Sequence, residues 1–254
     1  MPEQYTERPI AVVTGATSGF GEEIFRRLAV SYMPIAIARR EDRLIDLTEE
    51  AGGEYYVCDI SNPGNVEAVA SHILDQHPAI NVLVNNAGMG LRYRFDDVDS
   101  EKAKEVMATN YMGTFLLTRA LMPGLEEAAP DADIINIVSA AAGITNPHSG
   151  PYGASKAAQL AYSRSLMTDL APRGIRVHTI NPSKANTEGH PQSDSHSLLS
   201  RVTHTDIGSV ATATLDRIGK KPREVYVPRI GKLLAVAQVV APISTTRLVD
   251  RVLS

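Results

Sequence analysis

Short runs of apolar, often β-branched residues recur along the chain. Each is followed by a turn and then by a longer segment with helical spacing. Ile10–Thr14, Pro34–Ala38, Tyr55–Cys58, Ile80–Val84, Ile134–Val138 and Ile175–Ile180 read as strands, and Glu224–Val227 as a seventh. Helical patterns fill the intervals, most clearly over Glu22–Ala29, Asp99–Leu125 and Tyr152–Leu170. Runs that are mostly apolar on both faces suit central parallel strands covered by helices. The alternation continues over about the whole chain, with no repeat, linker or low-complexity run to divide it. It predicts one doubly wound α/β domain over residues 1–254, a seven-stranded parallel sheet with helices on both faces. In such sheets ligands bind outside the carboxyl ends of the strands. The segments that follow each strand are therefore where chemistry is expected.

Length and composition narrow the picture further. The 254 residues allow one large domain or two small ones, and the unbroken alternation decides for one. The share of apolar residues is 43% and of charged residues 21%, ordinary for a soluble globular chain. The net charge of −4 removes the electrostatic case for a nucleic-acid partner. A single cysteine, Cys58, excludes an internal disulfide framework and a cluster of thiolates. The opening Met1–Arg8 is polar and lacks the basic-then-apolar order of a secretory signal. The longest apolar stretch, Leu233–Ala241, is interrupted by Gln238 and is too short to span a bilayer. It reads as a core-packed helix. A cytoplasmic protein is the expectation.

After the first strand comes Thr14-Gly15-Ala16-Thr17-Ser18-Gly19-Phe20-Gly21. Glycines here permit positive φ and let a bulky ligand approach the backbone. The N-terminus of the following helix offers free N–H groups to a pyrophosphate, and the Thr17 and Ser18 hydroxyls can add bonds. A Gly-rich turn with no ligand is the other reading of this segment alone. The spacing also differs from the common G-x-G-x-x-G fingerprint. After the second strand stand Arg39 and Arg40, with no acid to bind a ribose hydroxyl. Paired guanidiniums suit a phosphate, which for a nicotinamide dinucleotide, if one binds here, would favour NADP(H) over NAD(H). Tyr152 and Lys156 are spaced i, i+4 and share a helix face. Of nine tyrosines only Tyr152 has a lysine four residues later.

The motif Thr14-Gly15-x-x-x-Gly19-x-Gly21 resembles the cofactor motif of the short-chain dehydrogenase/reductase family, in its branch of about 250 residues. Asn85-Asn86-Ala87-Gly88 matches that family's Asn-Asn-Ala-Gly motif, and Ser139 precedes Tyr152 by the expected thirteen positions. The resemblance implies a Rossmann-type fold and a nicotinamide cofactor held by Gly15, Thr17, Ser18, Gly19, Phe20, Gly21, Arg39, Arg40, Asp59, Ile60, Asn86, Ala87, Gly88, Tyr152, Lys156, Pro182, Ser183 and Thr187. Asp59 and Ile60 would flank the adenine, and Thr187 the nicotinamide amide. It implies a catalytic set of Asn110, Ser139, Tyr152 and Lys156, in which Asn110 interrupts its helix and anchors a water near the lysine. Homo-oligomers, dimer or tetramer, are expected through the Asp99–Leu125 and Tyr152–Leu170 helices.

The residue types suit the chemistry. Reducing a carbonyl places negative charge on oxygen, which needs a proton donor and a polarising hydrogen bond. Tyr152 would donate in reduction and accept in oxidation, and Ser139 would hold the substrate oxygen. Lys156, by its charge, would pull the tyrosine down from its ordinary pKa of roughly 10. The substrate pocket would be edged by Met89, Leu91, Ser139, Ala141, Ile144, His148 and Tyr152. Its apolar members point to a hydrophobic ketone or aldehyde. The polar 183–206 stretch reads as a lid, and its His190, His196 and His204 match no zinc-ligand spacing, so no metal is expected. Two features depart from the family: Ser183 and Lys184 follow Pro182 where Gly and an apolar residue are usual, and the C-terminal segment is helical and apolar. The competing reading is a catalytically silent NADP(H)-binding sensor on the same fold.

Overall fold

The computed structural model describes residues 8–90, 95–145, 149–183 and 205–253. Leu91, His148, Lys184, Thr187, the three lid histidines and residues 184–204 of the expected lid lie outside the described residues. The strands are β1 (Ile10–Thr14), β2 (Met33–Ala38), β3 (Glu54–Val57), β4 (Val82–Asn85), β5 (Ala132–Ile137), β6 (Ile175–Pro182) and β7 (Glu224–Val227). They form one parallel sheet in the order β3-β2-β1-β4-β5-β6-β7. The chain builds outward from β1 through β2 to β3, then crosses back to β4. The carboxyl ends of β1 and β4 therefore border the topological switch point, where such sheets bind ligands.

The helices are α1 (Gly19–Leu28), α2 (Glu41–Ala51), α3 (Pro63–Gln76), α4 (Ser100–Met107), α5 (Gly113–Ala120), α6 (Met122–Glu127), α7 (Gly150–Asp169), α8 (Ile207–Leu215), α9 (Ile230–Val240) and α10 (Pro242–Leu253). Side chains alternate across the strands, so each face of the sheet buries its own set. Val12, Leu83, Ile134 and Val177 pack with Val66 and Ile73 of α3, Leu117 of α5 and Leu166 of α7. On the other face Val13, Val84, Ile135 and Ile180 pack with Ile24 and Phe25 of α1, Leu44 of α2 and Val210 of α8. Local capping fixes several helix starts. Asn62 accepts from Asn65 N with Pro63 in the first turn of α3, and Asp99 and Asp206 cap α4 and α8.

Three features differ from the sequence pattern. The helix expected over Asp99–Leu125 is broken into α4, a π-turn over Ala108–Met112, α5 and α6. Asn110 lies in the π-turn, fully buried, with its side chain drawn away to the loop after β4. Such single π-turns occur often at functional sites. Second, the central strands carry buried polar side chains as well as apolar ones. Asn85 Nδ2 donates to Asn136 Oδ1 and Thr118 Oγ1, bridging β4, β5 and α5. Asp133 of β5 is buried against Arg176 and His178 of β6 and accepts from Gly219 N. Burial alone would push its carboxyl up, yet these partners together hold it below the usual range.

Third, α9 is not packed into the core all round. Ala235 and Gly231 meet Tyr226 and the turn after β5, while Leu233 and Val239 are 70% and 82% exposed. Both faces of the sheet are already covered by other helices. What remains for α9 is the carboxyl edge near β7, where only its small residues fit. No helix among the described residues is long and apolar enough to cross a membrane.

Candidate active site

The site is assembled from the loops at the carboxyl ends of β1, β4, β5 and β6. The Thr14 hydroxyl joins the first two. It accepts from Asn86 N and Ala87 N, both at 2.9 Å, and donates to Val84 O at 3.4 Å. Asn86 Nδ2 reaches back to Thr14 O at 2.9 Å and Gly15 O at 3.3 Å. This asparagine thus ties the β4 loop to the Gly-rich turn. Gly15 and Gly19 take φ values of +64° and +58°, the left-handed region that glycine enters without strain. Gly21 is required for a different reason. A Cβ there would lie 2.3 Å from Gly15 O and 2.4 Å from Asn86 Nδ2.

The turn delivers the N-terminus of α1 to the switch point. Ser18 makes no side-chain cap, so the first N–H groups of the helix remain for an external acceptor. This cradle of glycines and uncapped amides fits a pyrophosphate. The two arginines after β2 do different things. Arg40 Nη2 donates to Thr17 O and Oγ1, both at 3.1 Å, bracing the turn from outside. Arg39 is exposed and near enough to Asp59 for its charge to act on that carboxyl. Burial pushes Asp59 up, but the Ser61 hydroxyl and N–H with Arg39 hold it below the usual range. Ile60 is buried, and its side chain fills the space that a Cβ on Gly113 would need.

The residues expected to react stand after β5 and on α7. Ser139 opens the turn after β5 and accepts from Ala141 N at 3.1 Å. Its side chain is hydrogen-bonded to that of Tyr152. Burial pushes the Tyr152 phenol above its ordinary value, against the pull of the Ser139 bond. One turn on, Lys156 is 4% exposed. Its Nζ donates to Ile137 O at 3.2 Å and Gln159 Oε1 at 2.8 Å. Burial pushes this ammonium down to about 7. Burial thus outweighs the Ser139 bond, and the tyrosine's pKa lies above rather than below its ordinary value.

Asn110 braces both sides of this group. Its Oδ1 accepts from Met89 N at 2.8 Å, and its Nδ2 donates to Met89 O at 3.0 Å and Ser155 Oγ at 2.9 Å. Ser155 Oγ in turn donates to Tyr152 O at 2.7 Å. The asparagine side chain thus holds Met89 and the first turns of α7. The hydrogen-bonded path from Lys156 to the Asn110 carbonyl runs through protein groups, Gln159 and Thr114.

The substrate-side residues divide. Met89 stands beside Asn110 and is partly buried. Ala141 and Ile144 line a cavity of about 670 Å³ between the turn after β5, α7, β7 and α9. Ile144 packs there with Ala140, Tyr226 and Ala235. Neither Ser139 nor Tyr152 lines it. At the end of β6, Ser183 N donates to Val227 O at 2.8 Å, and its hydroxyl lies where a Cβ on Gly231 would come within 3.3 Å. The serine that replaces the usual glycine is thus accommodated by a missing side chain on α9. Among the described residues no group of three His, Cys, Asp or Glu side chains is placed to hold a metal.

Sequence reasoning did not single out Thr114, Ser155 or Gln159. A signal was present, since Ser155 and Gln159 are polar residues on the buried face of α7 that also carries Tyr152 and Lys156.

Comparison with known proteins agrees with this geometry. Residues 9–197 match the short chain dehydrogenase family, and the chain belongs to it. It is 34% identical over 223 residues to sulfoacetaldehyde reductase 2 of Chromohalobacter salexigens, covering 81% of this chain and 88% of that one. It is 38% identical over 177 residues to the NADP-dependent 3-hydroxy acid dehydrogenase YdfG of Shigella flexneri, covering 68% and 71%. Among solved structures, an actinorhodin polyketide ketoreductase variant with NADPH superposes with a TM-score of 0.78 at 25% identity, covering 87% and 95%.

Proposed function

We propose that the protein is an NADP(H)-dependent oxidoreductase interconverting a carbonyl compound and the corresponding secondary or primary alcohol. The observation that carries this reading is the Ser139–Tyr152 hydrogen bond with Lys156 buried one turn further on the same helix. When bound, the nicotinamide supplies or takes up the hydride. In reduction, Ser139 donates a hydrogen bond to the substrate oxygen and Tyr152 passes its phenolic proton to it. In oxidation, the Tyr152 phenolate accepts the alcohol proton. Lys156 favours that phenolate through its positive charge and would help to hold the cofactor through its ammonium. The preference for NADP(H) rests on Arg39, exposed beside Asp59 with no acid at the ribose position. Relatives named as reductases and as NADP-dependent support the same direction.

Met89, partly buried beside Asn110, favours a hydrophobic ketone or aldehyde. One domain holds both cofactor and substrate in this reading, in a cytoplasmic homo-oligomer assembled through α4–α5 and α7. The test is NADPH and NADH oxidation against a panel of aldehydes, ketones and diketones, with Tyr152→Phe as the control. NADPH-dependent turnover that the tyrosine variant loses is expected. Cofactor binding without turnover of any carbonyl would point instead to a silent sensor.

A further inference from the structure

Gln159 is fully buried on α7, one turn beyond Lys156. Each of its amide atoms has one partner, and the donors fix which way the amide faces. The ammonium form of Lys156 can only donate, so in that form Oε1 faces Nζ, at 2.8 Å. Nε2 then faces Thr114 Oγ1, at 2.9 Å. The Thr114 hydroxyl, having accepted that bond, donates onward to Asn110 O at 3.1 Å. The result is a one-way chain, Lys156 to Gln159 to Thr114 to the Asn110 carbonyl, with every member buried. A buried amide is costly unless both ends are paired. An apolar residue would fill the same space without that cost, but could not accept a hydrogen bond from an ammonium.

We propose that Gln159 is a positioning residue of the reaction, whose amide oxygen, oriented by Thr114, keeps the Lys156 ammonium charged and aimed beside Tyr152. The proposal rests on the roles of Tyr152 and Lys156 given above. The groups facing Nζ support it. They are the Ile137 carbonyl from β5, Gln159 from its own helix, and the Gly88 backbone from the β4 loop, where a Cβ would stand 3.4 Å away. Asn110 of the π-turn and Thr114 of α5 contribute polar, uncharged groups. The titratable side chain on the same helix face is Tyr152. Burial is the one cause of the lowered ammonium pKa. A charge-assisted acceptor 2.8 Å from a buried ammonium favours its charged form. Such a bond is worth about one to two pH units on the group it serves.

The experiment is a titration of the whole chain labelled with 15N at lysine Nζ, the Lys156 resonance being assigned by its loss in Lys156→Met. Gln159→Leu is expected to lower the Lys156 midpoint by about one pH unit, and Gln159→Glu to raise it by about as much. Thr114→Val, which frees the amide to turn, lowers it by less. Gln159→Met, unbranched and similar in volume, replaces the leucine variant if that one does not fold. Folded variants with the wild-type midpoint would overturn the proposal. The pH profile of NADPH-dependent carbonyl reduction by the same proteins separates the two ideas. Its alkaline limb should move with the NMR midpoint. Moved midpoints without any turnover would sink the oxidoreductase reading and leave the Gln159 contact standing. Turnover with unmoved midpoints would do the reverse.

Discussion

Gly21→Ala gives the sharpest test of how the cofactor turn is built. The new Cβ would fall 2.3 Å from Gly15 O, 2.4 Å from Asn86 Nδ2 and 2.8 Å from Gly15 C. Carbon contacts are comfortable only at about 3.5–4.0 Å, so the gap must open by about 1 Å or more. Two of the three opposing atoms are backbone. The third is an amide nitrogen held by Thr14 O and Gly15 O, so no flexible side-chain end can yield. Opening the gap breaks those two bonds, at about 1 kcal/mol each, and adds overpacking of about 1–3 kcal/mol. A loss of about 3–5 kcal/mol follows. At about 2–4 °C per kcal/mol for a chain of this size, melting should fall by about 10 °C. NADPH affinity, read by quenching or enhancement of its fluorescence, should fall at least about tenfold, because the N–H groups of α1 move with the turn. Gly150→Ala is the control, since its Cβ would meet nothing within 4 Å, and it should stay within about 0.5 kcal/mol of wild type. A Gly21→Ala protein that melts and binds NADPH like the parent would refute the steric reading of this glycine.

Other consequences concern charge and chemistry. Arg39→Ala should weaken NADPH about tenfold while leaving NADH within about twofold, since one charge-assisted bond from an exposed guanidinium is at stake; equal losses for both cofactors would remove Arg39 from the phosphate. Tyr152→Phe should lower kcat by about 10²-fold or more with NADPH binding retained, as measured by steady-state rates beside fluorescence titration. Asp133→Ala should cost about 3–5 kcal/mol in urea unfolding by stranding Arg176 and His178, with catalysis unimpaired below the melting range. In the parent, the Asp133 carboxyl is held below its unfolded value. Its contribution is therefore complete above about pH 4 and lost as pH falls through the folded value. Acid unfolding of Asp133→Ala should accordingly show a weaker dependence on pH in that range.

Much of this architecture was legible in the pattern of apolar runs because parallel strands covered on both faces leave a plain trace. Strands β1 and β7 coincide with Ile10–Thr14 and Glu224–Val227 as read, and the other five differ at one or both ends by one or two residues. The shifts have local causes. Asn81 N donates to Ile10 O and its Oδ1 accepts from Ile10 N, so the chain joins the ladder at Val82 rather than at Ile80. What periodicity could not show were features made by partners distant in sequence. The π-turn at Asn110 depends on Met89 and Ser155, and the split between Arg39 and Arg40 depends on Thr17. The outward face of α9 depends on the sheet being already full. Adjacent arginines read as equivalent in one dimension, and only the fold sends one to the turn and leaves the other exposed.

The hydroxyl of Thr14 has a mechanical consequence. From it, bonds run to Asn86 and Ala87, along the backbone to Met89, across to Asn110, through Ser155 and into the carbonyl of Tyr152. The end of the site suited to phosphate and the end suited to proton transfer are thus two ends of one truss. Perturbations at the two ends should therefore combine non-additively, as members of a single frame rather than as neighbouring parts.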